Sequence, residues 1–162
     1  MLPEEALARA QLTLPGPHPA VANYVMAVRT GSLLFVSGHG SFVDGRPAHI
    51  GTLGSGLSVA DGQQAARVAT LNMLGTIKSE LDELSRVRRF VKLLVMVNAT
   101  PDFTDHHLVA DGATDLLVRV FGELGRPARS AMGVASLPLG FAVEIEGVLE
   151  VATPEGGDTG AC

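Results

Sequence analysis

The chain is poor in the residues that tie proteins to disulfides, metals, membranes or nucleic acid. Its one cysteine, Cys162, is the final residue. That gives no disulfide framework, no metal-ligand spacing and no buried thiol with neighbours to activate it. There is no tryptophan, and aromatic residues make up only 4% of the chain. A core must then be assembled from Val, Leu, Ala and Met, whose modest volumes suit close packing of helices on a sheet. Lysine clusters are absent. The densest basic run, Arg86-Val87-Arg88-Arg89, has acids just upstream in a chain of net charge −5. This balance disfavours nucleic acid as a partner, and the run reads as the solvated start of a strand. No apolar run approaches bilayer length, and residues 1–6 lack a basic region followed by an apolar one, so the expectation is a cytoplasmic protein with no membrane partner.

What the chain does have is enough apolar material for one compact core. Of 162 residues, 46% are hydrophobic and 18% charged, which fits a single folded domain that needs no metal or disulfide to stabilise it. The mean hydropathy of +0.29 is high for a soluble chain and points to surface buried between subunits, although an alanine-rich composition could also produce it.

Residues 1–20 contain Pro3, Pro15, Pro17 and Pro19, which remove backbone donors; they read as an arm, with order beginning near Val21. The folded domain is expected over 21–152 and a Gly- and Asp-rich tail over 153–162. Tyr24 to Arg29 and Leu33 to Gly38 read as a β-hairpin about Thr30-Gly31-Ser32. The Gly-punctuated stretch from Gly38 to Gly56 reads as irregular, with a short strand near Ala48-His49-Ile50. Ser58 caps a long helix whose apolar stripe is Val59, Ala66, Ala69, Met73, Ile77 and Leu81. Phe90 to Val97 has strand composition and should be buried on both faces. Thr104 or Asp105 caps a second helix, with Leu108, Leu116, Leu117 and Val120 as its apolar residues. Strands over Ser130 to Ala135 and Ala142 to Val151 complete the order β-β-α-β-α-β-β, with a hairpin at each end. This is an α+β layer whose two helices cover one sheet face. Nothing is left in the chain to cover the other face, so association of sheets from several copies in a closed ring is expected; a monomer with a polar outer face is the alternative.

The chemistry concentrates late in the chain. Arg126-Pro127-Ala128-Arg129-Ser130 and Val143-Glu144-Ile145-Glu146 put an arginine and a glutamate on extended segments, with Pro138-Leu139-Gly140 between them as a turn that folds one back on the other. Arginine can grip a carboxylate through two parallel hydrogen bonds, and a glutamate can hold a water or move a proton. On these residues alone, Arg129 could equally pair with a surface acid, and Glu144 or Glu146 could be the wet face of an edge strand.

Asn23-Tyr24-Val25, Leu34-Phe35-Val36-Ser37-Gly38, Pro127-Ala128-Arg129-Ser130, Leu137-Pro138 and Val143-Glu144-Ile145-Glu146 together resemble the Rid family (YjgF/UK-type, RidA-like, also called endoribonuclease L-PSP). The likeness runs from about Tyr24 to Val151. The longer loop after Gly38 and the segment from Phe103 to Leu116 are similar to a less characterised subgroup of it. The resemblance implies a chorismate-mutase-like fold, a homotrimer with a central barrel, and clefts between subunits for small keto, imino or amino acids. It also implies hydrolysis of reactive enamines or imines of the 2-aminoacrylate type to 2-keto acids and ammonia, without metal or cofactor. Carried over by position, Arg129 would clamp the substrate carboxylate and Glu144 would handle the attacking water. Tyr24 would close the cleft, Ser37 would line its floor, and Asp111 would stand where the family has an asparagine. Ala131 replaces the family's usual cysteine, so any role of that thiol is lost. His39, His106 and His107 lie close enough in sequence to be polar pocket residues, but histidines at loops and helix starts are more often solvated caps. A non-catalytic trimer that captures small carboxylates is the alternative. Ribonuclease activity, implied by the family's older label, is opposed by the acidic charge.

Overall fold

The structure, a computed structural model, describes residues 1–153. In chain order the elements are α1 (Pro3–Arg9), β1 (Ala27–Thr30), β2 (Leu33–His39), β3 (Phe42–Val43), β4 (Arg46–Pro47), β5 (Thr52–Leu53), β6 (Gly56–Leu57), α2 (Val59–Leu81), β7 (Val87–Asn98), α3 (His106–Phe121), β8 (Ala128–Val134) and β9 (Val143–Val151). A mixed sheet in the order β1-β2-β9-β7-β8 carries α2 and α3 on one face. The α+β layer anticipated from the pattern is the architecture observed.

Helix α2 starts where the sequence signals it. Ser58 and Asp61 form a reciprocal capping box: the Asp61 amide donates to Ser58 Oγ at 3.2 Å, and the Ser58 amide donates to Asp61 Oδ2 at 2.8 Å. Its face against the sheet buries Ala66, Ala69, Met73, Ile77 and Leu81, which meet Leu93, Val95, Val97, Ile145 and Leu149 in the core. In α3 the buried stripe is Val109, Ala110, Ala113, Leu116, Leu117 and Val120; Leu108 is 38% exposed and does not belong to it.

The C-terminal hairpin is the main expectation the structure overturns. Strand β8 pairs with β7 alone and in parallel, while β9 lies between β2 and β7 and is antiparallel to both. The reason is the crossover: a strand reached through a helix packed on the sheet returns parallel to its predecessor. Strand β8 therefore takes the edge, and Pro138-Leu139-Gly140 carries the chain past β7 instead of folding it back. The first hairpin is present but begins at Ala27, leaving Tyr24 on the bend before it.

Order also begins earlier than Val21. Residues 3–9 form α1, with Leu7 in the core. The chain that follows lies against α2 so closely that a Cβ at Gly75 would strike the Pro15 carbonyl. The Gly-rich region holds two small ribbons, β3-β4 and β5-β6. Strand β7 is shielded on its helix face but only partly on the other, so burial on both faces is not met within one chain. The expectation for the tail falls, beyond Thr153, outside the described residues.

Candidate functional site

Arg129 and Glu144 do not meet within one chain. Arg129 sits on the edge strand opposite Leu93 of β7, and Glu144 on β9 opposite Met96. They are separated by β7 and three residues of register, about 10 Å across and about 10 Å along the strands. They also face opposite ways, Arg129 beneath α3 and Glu144 on the face the helices leave open.

Arg129 is held by α3. Its Nη1 donates to Asp111 Oδ1 at 2.8 Å and to Thr114 Oγ1 at 2.9 Å, and Nη2 donates to the His107 carbonyl at 3.2 Å. Asp111 and Thr114 share a helix face because they are three residues apart. Of five guanidinium N–H groups, three are committed and two remain, one on Nε and one on Nη2. The arginine is thus oriented by its ion pair and still has two neighbouring donors for a carboxylate. It opens on a recess of about 420 Å³ shared with Arg126 and Asp115. Ala131, two residues on, packs partly against the core.

Glu144 lines a second cavity, of about 410 Å³, together with Tyr24 and Gly38. Strand β2 bulges between Val36 and His39, which turns Gly38 toward β9. A Cβ at Gly38 would fall on Glu144 Oε1, so the carboxylate occupies the space that this glycine leaves. Burial, and secondarily the charge of Glu146, push the Glu144 carboxyl above the usual range.

The remaining candidates divide. Tyr24, 45% exposed, stands at the Glu144 cavity. Ser37 does not line that cavity. Its hydroxyl donates to the Val25 carbonyl at 2.8 Å, and the residue borders a shallow depression on the open face with Phe35, Lys92 and Glu146. His39 is buried behind the bulge: Nδ1 lies 2.7 Å from the Ser37 carbonyl and Nε2 2.8 Å from Thr76 Oγ1. The carbonyl can only accept, so Nδ1 carries the proton and Nε2 accepts from Thr76. Burial holds its pKa below the usual histidine value, which suits a neutral ring bracing the bulge. His106 packs edge-on against Phe103, and His107 serves Arg129 through its carbonyl.

Sequence reasoning missed Thr114, Thr76 and Asn72. Asn72 and Thr76 are polar residues inside the buried face of α2, and that interruption of an apolar stripe was a readable signal. Among the described residues no three His, Cys, Asp or Glu side chains are grouped to hold a metal ion, and no helix is long and apolar enough to cross a membrane.

The family model described as "YjgF/chorismate_mutase-like, putative endoribonuclease" matches residues 4–148. The chain belongs to this family. The YjgF-like match takes in α1 and the arm as well as the stretch from Tyr24 onward. Protein TCP17 of Trypanosoma cruzi is 44% identical over 146 residues, 90% of this chain and 91% of that one. The crystal structure of an Agrobacterium tumefaciens protein of unknown function is 39% identical with a TM-score of 0.86, covering 93% of this chain and 94% of the other. RidA of Psychrobacter is 25% identical with a TM-score of 0.58, over 85% and 93%. The gap between 0.86 and 0.58 is consistent with a YjgF-family subgroup set apart from RidA.

Proposed function

We propose that the protein is a hydrolytic deaminase of reactive enamines and imines of the 2-aminoacrylate type, acting in clefts between the subunits of a homotrimer. The observation that carries this reading is Glu144: a half-buried carboxylate, raised in pKa, against a glycine in a cavity that also holds Tyr24. A carboxyl tuned upward can both accept and return a proton near neutral pH. Arg129 supplies two uncommitted donors on another part of the surface. A neighbouring copy set on the open sheet face would bring its Arg129 to this chain's Glu144. That face keeps Val28 53% and Phe35 45% exposed, apolar surface suited to such a contact.

In this reading the substrate carboxylate lies on Arg129 with its imine carbon before Glu144. The imine nitrogen is protonated, and a water adds to the iminium carbon as one of the water's protons passes to the Glu144 carboxylate, giving a neutral tetrahedral amino alcohol. Glu144 then gives that proton to the amine nitrogen; the C–N bond breaks, ammonia leaves, and the hydroxyl oxygen becomes the keto oxygen as its proton passes to the freed Glu144 carboxylate. An enamine must first take a proton at its terminal carbon, which a protonated Glu144 can supply.

The experiment is keto-acid release from a 2-aminoacrylate generator with and without purified protein. Acceleration by the wild type and loss of about 10²-fold or more in Arg129→Ala is the expected result; a rate equal to buffer overturns the reading. One observation favours the alternative of a binder without turnover: Asp111 already neutralises Arg129, which lowers the charge offered to a substrate. Calorimetric binding of keto acids without acceleration of the reaction would select it. RNA cleavage, which the family's description suggests, is opposed by the net charge of −5 and is disfavoured.

A further inference from the structure

Once the substrate carboxylate is given to Arg129 and the imine carbon to Glu144, the group left to enter the Glu144 cavity is the side chain on that carbon. In 2-aminoacrylate this is a single methylene. The cavity measures about 410 Å³, a size that suits a whole small ligand.

Its wall is apolar and firmly held. Met26, Phe42 and Phe141 line it together with His18 and Pro19 of the arm. Phe42 and Phe141 stand edge-on with ring centroids 5.0 Å apart, and the His18 ring lies 3.9 Å from Phe42. Phe141 is buried and seated on Gly40, where a Cβ would strike its ring. Phe42 is fixed through its carbonyl, which accepts from Asn72 Nδ2 at 3.0 Å. The arm is anchored three residues before His18, where Gly75 of α2 leaves room for the Pro15 carbonyl. His39 at the cavity has both ring nitrogens bonded within the chain, so its ring offers a ligand no polar partner. A preformed apolar recess beside a carboxylate favours a substrate that fills it with hydrocarbon, because each buried methylene adds to binding.

We infer that this cavity is the side-chain subsite of the deaminase and selects 2-imino acids with a bulky apolar side chain, of leucine or phenylalanine size, over the imine of 2-aminoacrylate. The inference rests on the deaminase reading for the carboxylate and imine ends of the ligand. The arm then takes part in specificity, since it brings His18 and Pro19 to a wall whose acid, Glu144, lies near the other end of the chain.

The test is calorimetry of the wild-type protein with pyruvate, 2-oxoisocaproate and phenylpyruvate, the keto products that stand in for the corresponding imines. Both larger acids should bind about tenfold or more tightly than pyruvate. Met26→Trp, which fills the cavity from its lining, should bring all of them to within about threefold of one another. Should that variant fail to fold, His18→Ala, which takes a ring from the wall at an arm residue outside the core, should cut the preference about threefold or more. Equal wild-type affinities, or a preference unchanged in the variant that folds, would overturn the inference while the carboxylate site and the deaminase reading stand. Binding of none of the acids would overturn the subsite, and keto-acid release equal to buffer would overturn the deaminase reading with it.

Discussion

On the helix-covered face of the sheet Leu93, Val95, Val97, Ile145 and Leu149 are wholly shielded, whereas on the opposite face the paired Val28 and Phe35 keep 53% and 45% of their surface. The same strands build both faces, so the difference lies in what covers them. The covered face is ordinary core, held by close packing against α2 and α3. The open face mixes apolar side chains with Lys92, Glu144 and Glu146, a composition suited to a contact between copies that also carries chemistry. Stability should reside on the first face, and the contact between copies together with Glu144 on the second.

The sharpest way to break that division is to truncate both faces. Ile145→Ala should cost about 3 kcal/mol by chemical denaturation, because the surrounding core cannot close over the lost volume. Phe35→Glu should leave the fold of the single chain close to unchanged yet lower the molecular mass by sedimentation, since only an interface would be disrupted. Comparable unfolding of both variants would mean that the faces do not differ as described.

Glu144→Gln comes next, with a loss of roughly 10²-fold in keto-acid release and no loss of stability near neutral pH. The smallest effect is its pH dependence. The folded carboxyl has its pKa raised by burial, so the folded state holds the proton more tightly than the unfolded chain. Stability is therefore greater below the unfolded value and declines as pH rises through the window up to the folded one. Relative to Glu144→Gln, the wild type should lose stability across that window, which begins at the ordinary glutamate pKa; a rising difference would contradict the burial of Glu144. The acid limb of activity should likewise lie above the usual carboxylate range.

Local signals in the sequence carried most of the elements. The Ser58-x-x-Asp61 box, the stripe of α2 and the β-branched run of β7 each depend on neighbours a few residues away, and each is where periodicity put it. The place of β8 was not legible, because pairing in parallel with β7 is decided by a long-range crossover and not by the Pro-Gly turn beside it. For the same reason Arg129 and Glu144 looked like neighbours in sequence and are separated in the chain. That Arg129 pairs with an acid was one of the alternatives its own residues left open, but Asp111 was not identified as that acid; the role of Thr114 followed from helix geometry once the pair was known. Asn72 was hidden by its setting, a polar residue within a stripe read for its apolar members.

The central claim is that Arg129 of one copy works with Glu144 of another, and hybrid assemblies test it directly. Arg129→Ala and Glu144→Gln proteins, each inactive alone, would be unfolded, mixed in equal amounts and refolded together, with hybrid formation checked by tagging one variant. Random assembly restores an intact arginine and glutamate to about one cleft in four, so activity should return to roughly a quarter of the wild-type rate. Hybrids that form but stay as inactive as either parent would contradict the account.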